Sequence, residues 1–237
     1  MRDHRSPAAN GALLLAALLG ILAALVWTVA ASAEARSRWY GFEVQAPAGT
    51  PPAPAIITYR GEIAYPFADN LADIWAGLEP LAKDVVLDLD SPGGELAEAE
   101  KAIRLIADMR RWARVTTRVR HGTSCLSACA LVFAQGEERI AGGSSAWMFH
   151  GACGRYTNVP SPEPTRRYIA ILETAGVAAS FLCRLGDEGR LSRPGKFWSS
   201  GYELLHVHKA GLVTRLLESW QPETAIEPPF DPQVRSR

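Results

Sequence analysis

The 237-residue sequence has no charged residue between Ser6 and Ala33, no excess of either charge overall, and only four cysteines and three methionines. Twenty-five basic residues balance twenty-five acidic ones, so no global field favours nucleic acid or an anionic surface. Phosphate-binding loops of the Walker type, a dinucleotide fingerprint, paired zinc-ligand spacings and internal repeats are all missing. His206 and His208 form an H-x-H, but on a helix the two rings point about 200° apart and cannot share an ion. No metal or organic cofactor is implied.

The charge-free N-terminal stretch is informative in its own right. Arg2 and Arg5 precede "GALLLAALLGILAALVWTVAASA", a run of 23 residues. A secretory h-region takes about 7–15 residues and a bilayer span about 20. The length favours an anchor, while the closing Ala31-Ser32-Ala33 is an acceptable signal-peptidase site, so residues 1–33 read as a signal peptide or a transmembrane anchor. With the early arginines held inside, either outcome exports everything after residue 34, to the periplasm or the periplasmic face of the inner membrane. In an oxidising compartment, Cys125, Cys129, Cys153 and Cys183 allow three complete pairings. Cys125 and Cys129 are four apart, near the upper Cα–Cα limit on a helical turn; a break in the helix at Cys125 eases that pairing, and otherwise they are small core residues.

Residues 34–53 contain "APAGTPPAP" and read as a linker, and residues 221–237 form a Pro-rich tail expected to be disordered. Residues 54–220 alternate. "AIITYRGEI" reads as a strand, and "FADNLADIWAGLEPLA" as a helix burying Leu71, Ile74, Trp75 and Leu78. "DVVLDLD" is a short buried strand. The next helix, "ELAEAEKAIRLIADMRRW", turns Leu96, Ala99, Ile103, Ile106 and Met109 inward. "RVTTRVR" is a strand, "SACALVFA" a helix and "SAWMFH" a strand, followed by one long helix over Glu163 to Leu185. Repeated β-α units predict an α/β fold with a mostly parallel sheet whose strand C-terminal ends, where sites collect, share an edge. The arginines at 110, 111, 114, 118 and 120 read as a solvated face, with anionic lipid as the alternative.

Three short stretches fall on that edge. In "LDLDSPGGELAEAE", Gly93 and Gly94 lead from a strand into a helix, and their N–H groups suit an oxyanion; the same residues also make an ordinary βα turn. Ser127, in "HGTSCLSACALVFA", stands where a strand turns into a helix. There it is either an exposed nucleophile, with the Ala128 N–H as a second oxyanion donor, or an N-cap. His150 ends the apolar strand "AWMFH" before a glycine, as a surface residue or as a base within reach of Ser127.

In their order and spacing, "ITYRGEI", "LDLDSPGG", the elbow around Ser127, "MFHGA" and "KFWSSGYELLHVHKAGLV" resemble the proteolytic subunit of the Clp protease, ClpP, of the ClpP/crotonase fold, over residues 54–215. The cysteines and the apolar N-terminus make the chain more similar to exported ClpP-like proteins of proteobacteria than to the cytosolic protease. The resemblance implies Ser127 as nucleophile, His150 as general base, and an oxyanion hole at Gly93, Gly94 and Ala128. It implies a peptide or protein substrate and a homo-oligomer by analogy; export puts a cytosolic ATPase partner out of reach, so the action is expected to be ATP-independent. The family's third member, an aspartate, finds Leu191 at its place, with Asp187 or Glu188 nearby if the preceding loop is shorter. Loss of that carboxylate leaves two alternatives: a non-catalytic ClpP-like scaffold at the membrane and, less favoured, a crotonase-type acyl-CoA enzyme.

Overall fold

The computed structural model describes residues 40–49, 53–79, 81–154 and 159–217. The apolar N-terminal segment, part of the linker and the Pro-rich tail lie outside the described residues, and the readings attached to them are not tested by the structure. Among the described residues no helix is long and apolar enough to cross a membrane. The chain divides into two compact units after Glu43, and the second carries all that follows.

Two sheets organise it. The larger has the order β1-β2-β3-β4-β6-β9, formed by Phe42–Gln45, Ala55–Arg60, Asp84–Asp90, Arg114–Val119, Glu138–Ala141 and Arg215–Leu216. From β2 to β9 every neighbouring pair is parallel, with Ile57 opposite Leu87 and Val85 opposite Val115. Parallel neighbours require crossovers, which the helices α1 (Phe67–Leu78), α2 (Leu96–Met109) and α3 (Ala128–Phe133) supply. The smaller sheet, β5-β7-β8, joins Ser124–Leu126, Ala146–Phe149 and Phe197–Ser200, with β5 parallel and β8 antiparallel to β7. The mixed α/β fold with a mostly parallel sheet is the one the sequence predicts.

Helix α1 buries Leu71, Ile74, Trp75 and Leu78, as its spacing requires. Helix α2 is rotated from the expected face: Glu98 and Ala102 are buried, while Leu96 and Ile103 are only half-buried. Glu98 tolerates burial because its carboxylate accepts the Ala68 N–H, one of the orphan donors at the start of α1, at 2.9 Å, and pairs with Lys101 at 3.0 Å. The single helix expected over residues 163–185 is two, α4 (Pro162–Thr174) and α5 (Ala179–Asp187). Gly176, at φ 83°, ends the first with a Schellman motif: Gly176 N–H donates to Glu173 O and Val177 N–H to Leu172 O. Strand β6 went unread because "EERIA" begins with three charges. Glu138 pairs with Arg215 at 2.6 Å, and Arg139 donates to the carbonyls of Ala134, Ala175 and Gly211. The arginine run is likewise matched by carboxylates: Arg118 and Arg120 both hold the buried Asp88, and Arg110, Arg111 and Arg114 pair with Glu137, Asp108 and Asp84.

Candidate active site

Strands β3, β5 and β7 run parallel and end together. Past the end of β3, Ser91 forms a bridge with Cys125: its N–H donates to Ser124 O at 2.8 Å, and its carbonyl accepts the Leu126 N–H at 3.0 Å. The Asp90 carboxylate braces the same junction by accepting the Ser124 N–H at 3.0 Å. On the other side Leu126 is paired with Met148. The three segments that follow, Pro92–Gly94, Ser127–Ala128 and His150–Gly151, therefore leave the sheets side by side.

Ser127 sits at φ 52° and ψ −118°, a conformation that costs a non-glycine residue about 1–3 kcal/mol. Its N–H is fixed by Met148 O at 2.8 Å. Although it occupies the position before α3, its side chain makes no capping hydrogen bond. The cap reading open in the sequence therefore does not describe it, and Ser127 lines a cleft of ≈ 330 Å³ together with Ala128, His150, Gly94 and Tyr168. Cys125 and Cys129 form a disulfide across this elbow, both fully buried, with Cα atoms 5.1 Å apart. Cys125 is in extended β5 rather than on a helical turn, the break that the sequence reading required. Cys153 and Cys183 are free thiols.

The glycine turn is fitted to the serine. A Cβ on Gly93, at φ 95°, would lie 2.5 Å from Leu126 O and 2.9 Å from Ser127 Cβ, so only glycine allows this approach. The Gly93 N–H is already used: it donates to Ser91 Oγ at 3.1 Å. The N–H groups of Gly94 and Ala128 have no partner among the described residues, and both residues line the cleft.

His150 follows β7 and is half-buried. Burial pushes its pKa below the ordinary 6.5; a hydrogen bond with the Gly151 backbone opposes this, and the Lys196 cation adds to the lowering. Burial thus favours the neutral imidazole over the imidazolium. No hydrogen bond within 3.5 Å joins it to Ser127 Oγ, although both line one cleft.

No carboxylate of the described residues acts on the His150 ring. Asp187 is the exposed last residue of α5, and the exposed Glu188 pairs with Arg190 at 3.4 Å; neither lines the cleft. Next to the histidine stands Leu191, buried, its carbonyl packed so closely on Gly151 that a Cβ there would collide with it.

Sequence reasoning missed a second space beside His150. A second cavity of ≈ 550 Å³ is lined by Met148, His150, Cys153, Pro194, Gly195 and Lys196, so His150 and Cys153 wall both spaces. In the β7–β8 register Phe149 faces Phe197, and the next step along it sets Lys196 against His150. Only the antiparallel pairing reveals this neighbour; no local motif does. Tyr168, also missed, is buried at the cleft with a hydroxyl that has no partner among the described residues. His206 lies against Tyr202 with the rings tilted, and His208 packs against Phe181 and Phe197; no cluster of three or more His, Cys, Asp or Glu side chains suited to a metal occurs among the described residues.

Neither a protein-family model nor a curated protein sequence matches this chain. Solved structures do. The ClpP protease catalytic domain from Plasmodium falciparum is similar at 16% identity over 72% of this chain and 88% of its own, with a TM-score of 0.55. ClpP1 from Listeria monocytogenes is similar at 17% identity over 70% of this chain and 92% of its own, with a TM-score of 0.53. At such identity the likeness is one of fold: this chain has a ClpP-like α/β fold.

Proposed function

We propose that the domain is a serine peptidase acting without ATP on peptides or accessible protein segments. The observation that carries it is Ser127: held at positive φ, unused as a cap, its side chain shares a cleft with His150 and with the unpartnered N–H groups of Gly94 and Ala128. The strain is tolerated because Gly93, the disulfide and the Met148 carbonyl hold the elbow.

In this reading His150 takes the Ser127 Oγ proton as the oxygen attacks the scissile carbonyl carbon. The tetrahedral oxyanion receives the Gly94 and Ala128 N–H groups. Collapse breaks the C–N bond, the imidazolium proton passes to the leaving amine, and an acyl-serine remains. Water, deprotonated by His150, hydrolyses that ester and regenerates Ser127. Gly93 shapes the hole and anchors the turn through Ser91, leaving donation to Gly94. Asp187 has no part, being exposed and away from the cleft. A base without its orienting carboxylate works up to about 10⁴-fold below a complete triad, so slow turnover is expected.

The same reading has the domain exported to the periplasm or the periplasmic face of the inner membrane; the apolar N-terminal sequence supports it, and so does the Cys125–Cys129 disulfide, which an oxidising compartment keeps intact. Assembly into a homo-oligomer belongs to the same reading. The missing carboxylate favours a second one, a non-catalytic ClpP-like scaffold at the membrane. A fluorophosphonate probe decides. Covalent labelling of Ser127 that is lost in Ser127→Ala and slowed at least about 100-fold in His150→Ala supports the peptidase. No adduct with any serine-directed probe sinks it.

A further inference from the structure

Among the described residues no carboxylate orients His150 toward Ser127, and the second cavity that His150 lines holds a cation instead. Lys196 is exposed and lies one step beyond the last β7–β8 pair, opposite His150. The cavity between them measures ≈ 550 Å³, room for a peptide end or an acidic side chain. None of its described lining residues is acidic. An ammonium group facing a neutral imidazole across such a space opposes the imidazolium that catalysis must form. An anion seated between them reverses that effect: it pairs with the ammonium and takes over the imidazole N–H from the Gly151 backbone, the service a triad carboxylate performs.

We propose that the substrate supplies the missing carboxylate: an acidic group of the peptide, its terminal carboxylate or an Asp or Glu side chain on the leaving-group side of the scissile bond, enters the cavity, pairs with Lys196 and orients His150. This deepens the peptidase reading and rests on it. Two functional consequences follow. The enzyme is a cutter of peptides close to an acidic group, and its histidine is fully competent only while such a substrate is bound. Proteins lacking an acidic group at the required spacing meet an enzyme without its third member. Cys153 shares both walls with His150, so any covalent adduct on its thiol would occupy the same space.

The test uses matched peptides: free-acid against C-terminally amidated, and Asp or Glu against Asn or Gln after the scissile bond. Those two pairs separate the terminal carboxylate from the side chain as the source. Expected is a kcat about 10- to 100-fold higher for one acidic series than for its neutral partner, carried by kcat rather than KM. Lys196→Met should collapse that ratio towards unity. Lys196→Glu, which places a carboxylate in the cavity permanently, should invert it, so that neutral peptides become the faster series. Equal kcat for acidic and neutral peptides, or a preference that survives in Lys196→Met, overturns the proposal while leaving the peptidase intact. A second readout is independent of turnover. In Ser127→Ala protein, binding of a free-acid or Asp-containing peptide should raise the His150 pKa followed by NMR, and its neutral partner should not. No difference between them there also overturns the proposal. Loss of Ser127 labelling together with loss of all hydrolysis would mark failure of the peptidase reading instead.

Discussion

Breaking the Cys125–Cys129 bond should damage the site more than the fold. The bridge closes a loop with a sequence separation of 4, so its effect on the unfolded chain is small, about 2 kcal/mol from loop-closure entropy. For a domain of this size that corresponds to a Tm lowered by about 4–8 °C. The local effect is sharper, because the loop contains Ser127 at φ 52°, a conformation worth about 1–3 kcal/mol that the bridge helps to hold. If release lets the serine relax by about 2 kcal/mol, the competent fraction falls about 10- to 30-fold, since 1.4 kcal/mol is tenfold. The assay is the second-order rate of fluorophosphonate labelling at Ser127, measured for the native protein, for reduced protein and for the Cys125→Ala/Cys129→Ala double variant. A thiol count should rise from the two of Cys153 and Cys183 to four on reduction. Labelling within twofold of native, in a fully reduced and folded protein, would refute the idea that the bridge holds the elbow.

Other perturbations follow from the same geometry. Because burial depresses the His150 pKa, hydrolysis should rise with pH through a midpoint below 6.5, read from the pH dependence of kcat/KM. The stability sign agrees: below pH 6.5 the unfolded chain binds the proton more readily, so His150 removes stability progressively as pH falls from 6.5 through its lower folded pKa, which urea melts across that window would detect. Gly93→Ala forces a Cβ against Leu126 O and Ser127 Cβ at φ 95°; a loss of about 2–4 kcal/mol in denaturant unfolding is expected, with Ser127 labelling slowed as well. Asp187→Asn should leave labelling within about twofold of native, and a fall beyond tenfold would return that carboxylate to the site.

The sequence was most legible where a period or a turn residue acts locally. The α1 face, the strand-turn-helix around Gly93 and the elbow at Ser127 were readable because spacing and backbone chemistry decide them. It was least legible where a charge is satisfied from a distance. Glu98 is buried because a helix thirty residues upstream offers an N–H, and "EERIA" is a strand because Arg215, the nearby Ala134 carbonyl and the remote carbonyls of Ala175 and Gly211 take up its charges. Gly176 shows a milder failure: a glycine inside an apolar period is the end of one helix, and only its left-handed φ makes that plain. The surroundings of His150 combine both limits. Leu191 was legible as the occupant of the aspartate's place, whereas Lys196 is a neighbour only through antiparallel pairing of two four-residue strands.

The bond from the Ser127 N–H to the Met148 carbonyl couples the two reactive side chains mechanically. Ser127 and His150 stand one and two residues beyond a single strand pair, Leu126 with Met148, so their separation follows from the strand pairing rather than from a long loop. The same coupling makes the site sensitive to register: a slip of one residue between β5 and β7 would break that bond and turn one of the two side chains to the other face relative to its partner.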